Sequence, residues 1–215
     1  MIPVRASALA LSLFTLGLFA GSAAAGSSLP LEPAAPFAAG WAAGELQPGD
    51  VIVTEFMKDP SAVSDNAGEW IELANTLPWR VNLELLVVAD AGNDWFALQN
   101  GGAGIWIGPY ATFVLGNNAD PTTNGGVQVD YEYSGFTLKN SNDEIFVRTR
   151  SGVLVDGVVY DDGVLWPDSP GASISLDPSA YDGTLNDDPA NWCHATSTMP
   201  GGDRGTPGAL NDVCQ

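Results

Sequence analysis

Basic residues are scarce in this 215-residue chain: seven Lys and Arg stand against 26 Asp and Glu, a formal net charge of −19 at pH 7. So negative a surface repels a nucleic-acid backbone and an anionic membrane, and neither is expected as a partner. Lys139, Arg148, Arg150 and Arg204 are too few for a nucleic-acid footprint even where three share a face. One His and two Cys leave too few soft ligands for a structural zinc cage. No window holds a 3.6-residue apolar period, and helix caps followed by helix formers are missing, which argues against an α-helical architecture. The 25 Gly and 15 Pro stay below the ~25–30% of a low-complexity chain. With 45% hydrophobic residues, wholesale disorder is excluded as well.

The one long apolar run is at the start. Met1 to Arg5 carries a single positive charge, Ala6 to Ala20 is almost wholly apolar, and Gly21-Ser22-Ala23-Ala24-Ala25 supplies small residues for cleavage. This is the pattern of a secretory signal over residues 1–25, cut between Ala25 and Gly26. The run is short of the ~20 residues of a spanning helix, and no later segment is a second span, so no stable membrane insertion is expected after cleavage. The expected location is secreted, periplasmic or extracellular. In such an oxidising compartment Cys193 and Cys214 are expected to form a disulfide closing a loop of about 20 residues. The alternative, a reactive thiol, would rely on His194 beside Cys193.

Residues 26–47 are rich in Ala, Pro and Gly and read as an N-terminal arm or spacer. From residue 48 to 215 the texture is that of one all-β domain. Short β-branched and aromatic runs bounded by Gly, Asn, Asp and Pro predict strands over 51–57, 69–75, 83–89, 94–98, 105–115, 127–133, 144–149, 153–160 and 172–176. Eight or nine such strands describe a sandwich or barrel. In Glu69-Trp70-Ile71-Glu72-Leu73, Ile71 and Leu73 form an aliphatic face and Trp70 and Glu72 a mixed one. Ser151-Gly152 reads as a tight hairpin turn with positive φ at Gly152.

The residues also carry a family resemblance. Val51-Ile52-Val53-Thr54-Glu55-Phe56, followed by Glu69-Trp70-Ile71-Glu72-Leu73-Ala74-Asn75, is similar to the two opening strands of lamin-tail domains of the secreted bacterial kind. Val81-Asn82-Leu83 resembles the short V-x-L that follows, and Phe136 to Glu144 with Asp156-Gly157-Val158-Val159-Tyr160 resembles the late hairpin. Gly171 to Leu176, Asn191-Trp192 and Gly205-Thr206-Pro207-Gly208-Ala209-Leu210-Asn211 resemble the closing signature. The resemblance implies an immunoglobulin-like β-sandwich of mainly antiparallel strands and a non-enzymatic accessory or interaction module. Leu85 and Leu86 stand where the family usually has a Gly and an aromatic, so the third strand is expected to pack without its usual kink.

Chemistry is sparse. A Ser-His-Asp triad would have to use His194, and no G-x-S-x-G elbow accompanies it. Glu55, Glu69, Glu72, Asp161-Asp162 and Asp187-Asp188 offer carboxylate pairs, which 26 acids produce by chance in any compact chain. No catalytic, cofactor-binding or metal-binding residue is assigned. Structural calcium would fall on the oxygen-rich stretches 177–188 or 117–120, neither of which has the EF-hand register. Of seven Trp, Trp79, Trp95 and Trp166 are expected to be exposed and Trp192 to pack under the disulfide. The leading expectation is a secreted structural or interaction module whose partner is an unidentified protein or polysaccharide. The alternative is a calcium-dependent glycan-binding module or a small carboxylate-based hydrolase. The two separate on whether Glu55, Glu69 and Glu72 converge in a cleft with raised pKa values, which favours the enzyme, or lie on open strands.

Overall fold

The computed structural model describes residues 46–215. The expected signal peptide (1–25), Trp41 and all but the last two residues of the expected arm (26–47) lie outside the described residues. Twelve strands follow one another: β1 Val51–Met57, β2 Trp70–Asn75, β3 Val81–Asn82, β4 Val87–Ala89, β5 Trp95–Ala97, β6 Trp106–Ile107, β7 Thr112–Gly116, β8 Tyr131–Glu132, β9 Asp143–Arg148, β10 Leu154–Tyr160, β11 Ile174–Leu176 and β12 Trp192–His194. One short helix, α1 (Asp65–Gly68), precedes β2. A six-stranded sheet in the order β12-β11-β1-β2-β7-β8 faces a four-stranded sheet β10-β9-β4-β5, and β3 and β6 form a separate ribbon. All pairings are antiparallel except β7 with β8. The result is an immunoglobulin-like β-sandwich.

Alternation along the strands builds the core between the sheets. Ile71 and Leu73 of β2, Ile145 and Val147 of β9, and Val158 and Tyr160 of β10 are all buried there. Phe56 ties the layers together, meeting Tyr160 at 4.9 Å and Trp192 at 5.8 Å between ring centroids. Leu46 is fully buried in the same core, so the folded unit begins ahead of residue 48. The Ser151-Gly152 turn joins β9 to β10 as the sequence predicts, with φ +93° at Gly152.

The six-stranded sheet is covered on its outer face too. Met57, Trp70 and Val114 pack there against Val127 and Met199 in a second, smaller cluster. The chain after β12 supplies much of the cover, which is why every residue of β1 and β2 is buried.

Three expected strands are broken or cut to less than half their length. The run 105–115 splits into β6 and β7 because Pro109 brings no N–H and Tyr110 takes φ +53°, closing a turn in which Ala111 N–H donates to Gly108 O. Of the run 127–133 only residues 131–132 are strand, and the flanking Asp130 and Tyr133 N–H groups donate to Val114 O and Gly116 O of β7. In the run 83–89 only Val87–Ala89 is strand, and here the expectation of an unkinked third strand is corrected. Leu85 adopts φ +74°, keeping the kink without a glycine. Leu83 and Leu86 are both fully buried, although three residues apart they would face opposite sides of a regular strand. The kink at Leu85 brings both into one core.

Candidate functional site: a sealed carboxylate pair and an aromatic surface

Glu55 and Glu72 stand directly opposite each other on β1 and β2. A bulge at Thr54 sets that register, shifting the ladder between Val53 and Glu55. Both side chains are fully buried. Glu55 accepts hydrogen bonds from Ser173 Oγ, from Thr206 N–H at 2.9 Å and from Thr206 Oγ1 at 2.7 Å. Glu72 accepts from Thr54 Oγ1 at 2.8 Å and from Gly208 N–H at 2.7 Å. The segment Thr206-Pro207-Gly208 is therefore a strap laid over the pair. Burial pushes Glu55 up to about 7 against the opposing pull of Ser173 and Thr206. Burial, aided by the charge on Glu55, pushes Glu72 up to about 8. Glu69 stands apart, accepting from Leu138 N–H at 3.2 Å, and burial raises it to about 7.

Two of the three expected glutamates thus converge, but under a lid of backbone rather than in an open cleft. A groove of about 520 Å³ runs along the outside of the strap past Met199, Leu210 and Asp212, and neither glutamate lines it. Of the remaining candidate carboxylates, Asp161 and Asp188 are engaged by nearby loop amides. Asp161 accepts from the N–H groups of Val164, Leu165 and Trp166. Asp188 accepts from Ala190 N–H. In the two oxygen-rich stretches, Asp177 is engaged by Ser179 and Cys214 N–H, Asp182 by Thr184 and Leu185 N–H, and Asp120 by Thr122. Among the described residues no three His, Cys, Asp or Glu side chains gather as a metal-binding group.

Cys193 and Cys214 form a disulfide with their Cα atoms 5.6 Å apart. His194 is half-buried with no hydrogen-bond partner on its buried Nε2, and burial together with Arg204 lowers its pKa. Trp166 is buried against Trp192, ring centroids 5.2 Å apart, and so corrects the expectation that it is exposed. Trp192 points into the inter-sheet core, its Nε1 donating to Asn186 O, while the neighbouring Cys193 faces the other way along β12; it does not pack under the disulfide.

A different set of side chains is presented to solvent. Trp79, Trp106 and Tyr110 are 37%, 40% and 69% exposed. The Arg80 guanidinium lies 4.3 Å from the Trp106 ring centroid. β3 and β6 bring Arg80 and Trp106 together through the pairing of Asn82 with Trp106, while Tyr110 lines a groove with Tyr181, Gly208 and Leu210. Buried Asn75 joins the loops on either side, donating to Trp79 O at 2.7 Å and to Gly108 O at 2.8 Å, while Tyr110 N–H donates to Leu77 O. Below them Glu84 accepts from the N–H groups of Asn100, Gly102 and Gly104. Those donors, Gly102 foremost, hold Glu84 below the usual carboxylate range. Gly104, pinned in this way at φ +83°, lies so close to Trp106 that a Cβ there would stand 2.4 Å from its Nε1. Trp106 is wedged between the Gly104 backbone and Arg80.

Of this group only Trp79 was legible as exposed. Tyr110 follows Pro109 as Trp79 follows Pro78, a position where a turn displays a large side chain, whereas Arg80 and Trp106 carry no such signal.

Comparison with known proteins adds one match. The family model described as Lamin Tail Domain matches residues 45–162, from just before β1 to just after β10. No curated protein matches the chain. β11 and β12 lie after the matched residues, yet β11 pairs with β1 and β12 with β11, so the same sheet continues through them. With the match spanning more than half of the sequence, the chain belongs to the lamin tail domain family.

Proposed function

We propose that this protein is an exported, non-enzymatic interaction module that engages a partner at the cell surface or in the medium through the exposed Arg80–Trp106 stack. The observation that carries the reading is the wedging of Trp106: Glu84, Gly104 and Arg80 fix an aromatic side chain that the core does not need. Trp, Tyr and Arg are the side chains most enriched at binding hot spots. The non-enzymatic part is supported by the strap, which leaves Glu55 and Glu72 without access to a substrate. Export is supported by the sequence of residues 1–25 and by the disulfide. No helix among the described residues is long and apolar enough to cross a membrane.

The test is binding of the labelled mature protein to the envelope fraction of the producing cells. The unmodified protein is expected to sediment with the envelope, and the Arg80→Ala, Trp106→Ala double variant to stay in the supernatant with an unchanged circular dichroism spectrum. Equal sedimentation of the two would remove this surface from the function.

A further inference from the structure

We infer that the outer face of the four-stranded sheet is a self-association surface whose partner is a second copy of this chain. It is a different part of the molecule from the Arg80–Trp106 stack and does not depend on it. Alternation defines the face. Val88, Ile145, Val147 and Val158 point into the core, so their neighbours along the strands point out. Register sorts the outward side chains into rows. Trp95, Ala89, Phe146 and Gly157 form a middle row. Ala97, Val87, Arg148 and Leu154 lie on one side of it, and Glu144 with Val159 on the other. Trp95, Leu154 and Val159 are 60%, 40% and 56% exposed. The six-stranded sheet buries its outer face under Val127 and Met199; among the described residues no such cluster covers this one.

The middle row is low. Ala89 and Gly157 carry little or no side chain, and Phe146 lies over Gly157, where a Cβ would stand 2.8 Å from its ring. The Arg148 guanidinium is 5.2 Å from the Phe146 ring centroid, and among the described residues it forms no ion pair. Glu144, two residues to the other side of Phe146, accepts from Ala91 N–H at 3.1 Å. An ionised carboxylate has capacity for a further donor.

What selects a second copy is the order of the rows. A two-fold axis lying between two such faces, along the middle row, reverses the strands of one copy against those of the other. Arg148 of each copy then stands over Glu144 of the other, and Leu154 over Val159. Two sheets stacked in this way keep the ordinary aligned packing of a sandwich. A uniformly basic partner would meet Arg148 and a uniformly acidic one Glu144; a partner carrying both charges in reversed order meets neither obstacle. Two chains of charge −19 do repel, but beyond ~8 Å that repulsion is largely screened at physiological salt. Four strands at ~4.8 Å and five residues at ~3.4 Å give a face on the order of 300 Å². That is less than the ~800 Å² per side of a stable interface, so the dimer is weak and reversible.

Sedimentation velocity of the mature protein in about 0.15 M salt, over roughly 10 μM to 1 mM, tests the inference. The unmodified chain is expected to pass from monomer to dimer across that range. Arg148→Glu and Glu144→Arg each set like charges across the axis and should weaken association roughly a hundredfold. Mixed in equal amounts, the two variants should recover a heterodimer, because both contacts then bring opposite charges together. A variant that had merely misfolded would not be rescued in this way. The Arg80→Ala, Trp106→Ala variant should dimerise as the unmodified chain does, which keeps this result separate from the envelope test. A chain that stays monomeric throughout, a dimer indifferent to both charge substitutions, or a mixture that fails to associate overturns the inference.

Discussion

Acidification should stabilise this protein. Glu55 titrates at about 7 and Glu72 at about 8 in the fold, against an ordinary value of 4.5, and burial is the first cause for both. Between the unfolded and folded values the folded chain binds more protons than the unfolded one. Stability therefore falls as pH rises through that interval. For Glu55 the interval runs from 4.5 to about 7, and at about 1.4 kcal/mol per pH unit the loss is on the order of 3 kcal/mol. The pair together loses at least that, since the charge on Glu55 raises Glu72. In a domain of this size 3 kcal/mol corresponds to roughly 6–12 °C in melting temperature. Asp156, buried beneath Val53 N–H and Asn186 and pushed up to about 7, adds in the same direction. Asp177 and Asp212 are held low by their donors, and their contribution is lost only below about pH 4. The optimum should therefore lie near pH 5 rather than 7. Thermal melts from pH 4 to 9 in moderate salt, which suppresses the general repulsion of a −19 chain, measure it. Glu72→Gln, a mimic of the protonated acid, should match the unmodified protein near pH 5 and exceed it at pH 9. A melting temperature that climbs between pH 5 and 8, or a Gln variant that is worse throughout that range, would refute the argument.

Leu85→Gly should stabilise the fold by about 0.5–1 kcal/mol in urea titration, because a left-handed non-glycine residue costs roughly 1–2 kcal/mol and the added chain entropy returns part of it. A chain beginning at Gly49 loses buried Leu46 and should be about 2–5 kcal/mol less stable than one beginning at Glu45, by the cost of emptying a leucine site. Replacing Cys193 and Cys214 by Ser should cost about 3 kcal/mol through loop entropy. Hydrogen exchange should nevertheless find the Thr206 and Gly208 amides still protected, since their bonds to Glu55 and Glu72 do not involve the disulfide.

What the sequence conveys best is periodic. β1, β2, β9 and β10 announce themselves by alternation and by the Gly152 turn, and the two faces of β2 are legible in Trp70-Ile71-Glu72-Leu73 itself. The covering of the mixed face is not legible there. It depends on Gly205 to Asn211 returning across more than a hundred residues, with Asn211 Nδ2 donating to Thr54 O at 2.7 Å and to Leu176 O at 2.9 Å. Local pattern has no access to contacts at that separation, so Glu55 and Glu72 read as potential surface acids although they are the most enclosed acids among the described residues. Leu85 illustrates the opposite error. Glycine preference predicts a straight strand there, and the burial of Leu83 and Leu86 on one side overrides it. The aromatic surface depends on Asn75, Glu84 and Gly104 holding other residues, and such relations leave no spacing signature.

The acidity of the chain then takes on a structural meaning. Helices satisfy their own amide groups, but a sandwich of twelve short strands joined by long loops leaves many N–H groups without a ladder partner. An ionised carboxylate is an acceptor with two oxygens and no donor, which suits such loops as Lys or Arg cannot. Glu84 serves three amides of the loop 100–104, Asp161 three of 164–166, Asp203 the amides of Ser61 and Ala62, and Asp212 those of Thr196 and Ser197. At Glu84, Asp161 and Asp212 the donors win and the pKa falls; where the strap or the sheet covers the acid, as at Glu55, Glu72 and Asp156, burial wins and its pKa rises. One device thus yields both the net charge and the pH response. The charge of −19 follows from how the loops are held, and the repulsion of anionic partners follows from the fold rather than from the site.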